Sequence, residues 1–201
     1  MILLVLPSII FLLQDAPAIS LANCTCSKSK LEGGWCTACR AGYIAGLRIA
    51  SLELFEVLDA HGHDYDPEKI QCEACKRAIQ SQGFCDSCRI GFWKNQAYLS
   101  RLSYHLARGR VVEKVDCLAC RGHRERPGWC EICGVGFIGN VAISSRDEFD
   151  RAKPEFERLV SAVEMLKRCE WCAVALFSDG YCTTCKIQYS GGRRIETKSG
   201  E

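Results

Sequence analysis

"CLACRGHRERPGWCEIC", residues 117–133, carries four cysteines as two C-x-x-C pairs separated by nine residues. The same arrangement recurs in Cys72/Cys75 with Cys85/Cys88 and in Cys169/Cys172 with Cys182/Cys185. A fourth set, Cys24/Cys26 with Cys36/Cys39, has a shortened first pair, C-x-C. In all four, nine residues separate the pairs: 27–35, 76–84, 121–129 and 173–181. Gly plus an aromatic precedes each second pair: Gly34-Trp35, Gly83-Phe84, Gly128-Trp129 and Gly180-Tyr181. "RAGYI", "RIGFW", "GVGFI" and the degenerate "KIQYS" follow it. Such self-similarity marks a tandem repeat.

The nine-residue excursion predicts a tight hairpin, with the glycine near its end supplying a permissive backbone. The aromatic beside the third cysteine is expected to cover the hairpin. Base stacking by that ring would need a basic groove, and the sequence shows none. Between the cysteine sets run helical patterns. In "LRIASLELFEVLDA", Leu47, Leu54, Phe55 and Leu58 share a face, with Gly62 as a stop. In "AYLSRLSYHLARGR", Leu99, Leu102 and Leu106 do so ahead of Gly109. A third helix is predicted from about Glu155 to Arg168, on Phe156, Leu159, Val160, Val163 and Leu166. Pro154 would sit in its first turn, and Ser145 with Glu148 would cap an earlier turn. A 17-residue cysteine module cannot bury a core alone, so helices should pack on hairpins or on one another.

Three chemistries compete for the cysteines. Covalent haem attachment needs His directly after a C-x-x-C, and none is there. Disulfides between pairs would close loops near 15 residues, worth about 3 kcal/mol each by chain entropy. Disulfide frameworks, however, rarely repeat C-x-x-C pairs. A tetrathiolate site explains the spacing better: four sulfurs reach tetrahedral corners about 2.3 Å from Zn²⁺. Such binding is worth roughly 10–16 kcal/mol in small peptides. Arg40, Lys76, Arg89, Arg121 and Lys186 flank the pairs and can offset the net negative charge of the site. Iron, Cu(I) and mercury also suit four thiolates. A closed four-ligand site leaves no position for substrate, which argues against catalysis. His61, His63, Asp64 and Asp66 in "HGHDYD" could bind a further metal but read more simply as a polar loop. His105 and His123 have no evident acid–base partner.

The stretch "CLACRGHRERPGWCEICG" resembles the short zinc-ribbon modules of the double zinc-ribbon type. The likeness covers the cysteine sets, about a third of the chain. It implies that the cysteines of sets two to four are zinc ligands, and it places set one, with Cys24-Thr25-Cys26, off the pattern. The fold expected is a small α+β metal-stabilised repeat in which zinc-ribbon hairpins alternate with α-helices. Ribbon modules would occupy 23–46, 72–94, 117–140 and 169–190, helical spacers 47–71, 95–116 and 141–168, and a tail 191–201. Three or four zinc ions are expected.

Residues 1–13 are apolar apart from Ser8, with Pro7 interrupting them. The stretch is short of the roughly 20 residues that span a bilayer. With Ser20-Leu21-Ala22 it reads as an export signal over 1–22, although no basic residue precedes the apolar run. A lipoprotein leader acylated at Cys24 is the alternative. Export places the chain in the periplasm, the envelope or outside the cell. Of 201 residues 16 are cysteine, and 26 basic side chains against 24 acidic ones leave a formal charge of +2. That balance gives no pull toward nucleic acid. The expectation is therefore an exported, non-catalytic zinc-binding scaffold with a protein partner. Soft-metal sequestration and thiol redox exchange are the rivals.

Overall fold

The computed structural model describes residues 24–195, so the leader read over 1–22 lies outside the described residues. The chain is α+β, built from small antiparallel sheets and helices. The nine-residue intervals differ from expectation: they are helical. Helices α1 (Cys26–Glu32), α3 (Glu73–Ser81), α5 (Leu118–Glu125) and α7 (Glu170–Ser178) begin at or beside the first cysteine pairs. Cys72, Cys117 and Cys169 stand at the N-cap positions, so the first pair of each set opens a helix instead of a hairpin. The residues between the pairs are mostly good helix formers without proline until Pro127, and thiolates are favoured at a helix N-terminus.

A three-stranded meander follows each of these helices. It comprises β1 (Gly34–Cys36), β2 (Ala41–Ile44) and β3 (Leu47–Ile49) in the first repeat. The second has β4 (Phe84–Cys85), β5 (Ile90–Trp93) and β6 (Gln96–Tyr98). The third has β8 (Gly128–Cys130), β9 (Val135–Ile138) and β10 (Val141–Ile143), with β7 (Arg110–Val111) added beside β10. The fourth has β11 (Tyr181–Cys182), β12 (Ile187–Ser190) and β13 (Arg193–Ile195). The second cysteine pair lies in the first turn of each meander, and the residue after it is left-handed in all four: Arg40, Arg89, Gly134 and Lys186. The second turn has two residues. Positive φ at Ala45-Gly46, Lys94-Asn95 and Gly191-Gly192 gives the turn twist that matches paired strands.

Further helices follow three of the meanders: α2 (Leu52–Leu58), α4 (Arg101–Arg108) and α6 (Arg146–Met165). Each is capped by a serine. Ser51 Oγ accepts from the Leu54 amide at 3.0 Å, Ser100 Oγ from Ser103 at 3.1 Å and Ser145 Oγ from Glu148 at 3.4 Å. The third helix thus departs from expectation. It is one 20-residue helix from Ser145, and Pro154 lies inside it. The proline removes the amide that would bond Asp150, a residue on the exposed side where water can take its place. Two stripe residues are also displaced: Leu47 belongs to β3, and Leu99 precedes α4 and is exposed.

One core joins repeats one, three and four with α4, the helix after the second meander, which adds Leu102. Ile49, Leu54, Ile138, Leu159 and Ala173 are fully buried in it, with Phe149, Phe156 and Phe177 around them. Repeat two keeps a smaller core around Phe92 and Ala97, with Cys75 and Cys85. Helix α6 packs on α7, α4 and β9, and so ties the units together. Gly139, at φ 57°, has Ala45 O only 1.8 Å from where a Cβ would stand, and the Asn140 amide bonds that same carbonyl at 3.0 Å. The two turns are docked backbone to backbone.

Candidate metal centres

Helix and meander bring each cysteine set to one point. In repeats two to four the first cysteine stands at the helix N-cap position and the second sits one turn in. The third ends the first strand, at Cys85, Cys130 and Cys182, and the fourth follows in the turn at Cys88, Cys133 and Cys185. The four sulfurs of every set lie within 4.8 Å of one another. Individual separations are 4.0 Å for Cys24–Cys36, 3.2 Å for Cys24–Cys39, 4.0 Å for Cys117–Cys130 and 3.9 Å for Cys169–Cys182. Sulfurs about 2.3 Å from a tetrahedral Zn²⁺ stand about 3.8 Å apart, whereas a disulfide needs about 2.05 Å. The quartets therefore match an ion's coordination shell and could each hold one metal ion.

Set one converges as well as the others. Cys24 and Cys26 stand either side of Thr25, the N-cap of α1, and reach Cys36 and Cys39 from there. The C-x-C spacing is thus compatible with a four-sulfur cluster.

The sulfurs of a quartet differ in acidity. The Cys75 and Cys120 amides draw the Cys72 and Cys117 thiols down to about 7. At Cys169 the Cys172 amide donates to the sulfur at 3.4 Å and lowers it too. In set one the Cys39 amide lowers the Cys36 thiol to about 6. Burial pushes Cys75 and Cys120 up, and takes Cys172 up to about 12. Cys39 is raised to about 12 by its contacts with Cys24 and Cys26. Four thiols this close cannot all ionise unaided, since each new thiolate faces the others. A divalent cation at the centre removes that conflict, which is the chemistry such a donor set suits.

The aromatic beside the third cysteine packs as a cover in three repeats. Trp35, Phe84 and Trp129 lie 5.5, 5.6 and 5.8 Å, centroid to centroid, from Phe55, Tyr104 and Phe149 of the following helices. Arg101 stacks on Phe84 at 4.3 Å and pairs with Asp86; Arg146 stacks on Trp129 at 5.3 Å and pairs with Glu131 at 3.0 Å. Asp86 and Glu131 occupy the same place inside their C-x-x-C turns, so these clamps repeat. Tyr181 stands out of this pattern and is half exposed. The glycine before the aromatic is left-handed only at Gly34 (φ 120°). In repeats two and four the left-handed residue is Gln82 or Asp179, one position earlier, at the helix C-cap.

The "HGHDYD" residues divide. His61 and His63 come together with Asp59, a residue outside that stretch. Asp64 is exposed, and Asp66 caps a short turn by accepting from the Glu68 amide at 3.0 Å. His105 is buried with neither ring nitrogen bonded, and burial lowers it to about 4. No protein-family model matches the chain, and neither a curated protein nor a solved structure is significantly similar to it.

Proposed function

We propose that the four cysteine clusters hold structural Zn²⁺ ions, and that the chain is an exported, non-catalytic scaffold presenting surfaces to a protein partner. The observation that carries the metal reading is the sulfur geometry: four sulfurs within 4.8 Å of one another in every quartet, with individual separations of 3.2–4.0 Å. Zinc suits it because a d¹⁰ ion accepts a closed tetrahedral sulfur cage with no open position. Each ion would clamp a helix start to a strand turn, a junction that strands of two to four residues cannot stabilise by pairing alone.

Large apolar side chains at the clusters support a protein partner. Leu118, the first residue of α5, and Ile132, within the second C-x-x-C turn of repeat three, are 79% and 83% exposed, and Trp171 in repeat four is 52% exposed. Rigid apolar side chains held by a metal clamp are good contact groups. The apolar run over 1–13 with Ser20-Leu21-Ala22 supports export.

Native mass spectrometry of the purified chain, with elemental analysis, tests this reading. Four zinc ions per chain, with a mass lacking the leader, is the expected result. A metal-free chain with its sulfurs joined as disulfides would sink it. Fast ion exchange without loss of fold would favour soft-metal buffering instead.

A further inference from the structure

Helix α2 ends at Asp59, held in the left-handed conformation at φ 45°, ψ 60°, with its amide bonded to Glu56 O at 3.0 Å. Such a backbone is a common way to end a helix, and aspartate adopts it more readily than most residues other than glycine. Two residues on, His61 lies in a bend, and after Gly62 the chain makes an isolated β-bridge at His63. His63 exchanges both backbone hydrogen bonds with Ala97 of β6, at 2.8 and 2.9 Å. The two imidazole rings lie 4.4 Å apart, centroid to centroid. Gly62 between them has no room for a side chain: a Cβ would fall 1.9 Å from Gln96 Oε1. This glycine lets the histidine segment lie close against β6.

The carboxylate of Asp59 reaches both rings. Its Oδ1 is 2.8 Å from His63 Nε2 and 3.3 Å from His61 Nδ1. All three donor atoms lie within 4.8 Å of one another. Donors about 2.0–2.1 Å from a tetrahedral ion stand about 3.3 Å apart, so the Asp59–His61 spacing already fits and the Asp59–His63 spacing needs to open by about half an ångström. Beside it runs a groove of about 630 Å³, lined by Asp59, His61, Tyr98, Ser103 and Leu106 among others.

We infer that Asp59 Oδ1, His61 Nδ1 and His63 Nε2 form a fifth metal site, for a borderline divalent ion such as Zn²⁺, Co²⁺ or Ni²⁺. Two imidazoles and a carboxylate suit such ions, whereas the cysteine quartets favour softer ones. The site also differs in kind from the quartets. Three protein ligands leave coordination positions for water or a small anion. His61, with 74% of its side chain exposed, leaves the ion accessible from solvent. The inference does not depend on the state of the cysteines.

The test is titration of the untagged full-length chain with Co²⁺ and Zn²⁺, read by native mass spectrometry and optical absorption. One ion beyond those held by the cysteines is expected. With Co²⁺ its spectrum should lack the sulfur-to-metal charge-transfer bands that thiolate sites show. Long-range ¹H–¹⁵N NMR should show Nδ1 of His61 and Nε2 of His63 shifting on binding of Zn²⁺. His61→Ala, a change at an exposed ring, should weaken the extra ion by roughly 100-fold while leaving the cysteine-held ions in place. Asp59→Asn keeps a residue tolerant of the left-handed backbone and should also weaken it, whereas His123→Ala should not. The inference is overturned if the parent chain takes up no ion beyond the cysteine-held set. Equal uptake by the parent and His61→Ala would overturn it too. If the cysteines prove oxidised, the ion at Asp59, His61 and His63 should be the one that remains.

Discussion

The ring of Phe149 rests so closely on Gly136 that a Cβ on the glycine would come 2.3 Å from ring Cδ2. Phe55 covers Gly42 and Tyr104 covers Gly91 in the same way, at 2.2 and 2.3 Å. Each aromatic lies four residues after a capping serine, and each glycine lies in the middle strand of its meander. The glycine of "AGYI", "IGFW" and "VGFI" is therefore the seat of the helix that follows. In the fourth repeat the position is Gln188, and no helix follows β13 among the described residues.

Gly136→Ala should accordingly destabilise the metal-loaded chain by about 1–3 kcal/mol through overpacking against Phe149. Gly122 is the contrast: it lies inside α5 with nothing within 4 Å of a Cβ. Gly122→Ala should stabilise by about 0.5–1 kcal/mol, because alanine has less chain entropy to lose in a helix. Urea midpoints of the two variants against the parent decide it. Equal shifts of the same sign would contradict the seating of the ring.

Arg108 links three elements. It donates to Gln82 O at 2.8 Å and to the Tyr104 hydroxyl at 2.5 Å, pairs with Glu148 at 2.5 Å, and stacks over Trp93 at 4.7 Å. Lysine carries the charge but not the planar fork. Arg108→Lys should cost about 1–3 kcal/mol in the same denaturation assay. Little of that loss should be recovered at high salt, because the bonds are half-buried. A variant as stable as the parent would show that these bonds hold nothing together.

The cysteine quartets were legible in the sequence because a metal cage fixes spacing and residue type together. Their local structure was less so. A nine-residue interval between thiol pairs fits a hairpin or a two-turn helix, and only the absence of turn residues in 173–178 and 76–81 favours the latter. Turns at Gly139-Asn140 and Gly191-Gly192 carried a readable hairpin signal six residues after the second pairs. Pro154 was misleading, since a serine cap nine residues upstream had already started the helix. Asp59 could not be found from spacing, because its part in the histidine cluster depends on how α2 ends against β6.

His105 predicts a pH dependence. Its ring is buried, and desolvation, reinforced by Arg101, Arg108 and Arg151 against the opposing Asp147, lowers its pKa to about 4 from 6.5. Between those values the unfolded chain binds a proton that the native chain refuses, so stability falls as pH drops from 6.5 toward 4. The full effect is about 3 kcal/mol at most. His105→Leu removes that slope, so the variant should gain on the parent steadily below pH 6.5. Urea midpoints at pH 7, 5.5 and 4.5 give the comparison, and acid effects on the cysteines are common to both proteins. Parallel curves would show that His105 is not held neutral by burial.

Accessibility sets an order of attack on the clusters. Cys88, Cys133 and Cys185 are exposed, whereas set one, the quartet with the C-x-C spacing, has no exposed member. An alkylating reagent or a competing chelator needs one sulfur it can reach, and loss of one thiolate opens a four-ligand cage to the next step. With the metal-loaded chain and limiting iodoacetamide, peptide mapping should find label at Cys88, Cys133 and Cys185 before Cys39. Chelator challenge should raise the labelling of sets two, three and four ahead of set one. Cys39 reacting first would mean that the shortened pair leaves its cluster the most open of the four, against the burial seen in the structure.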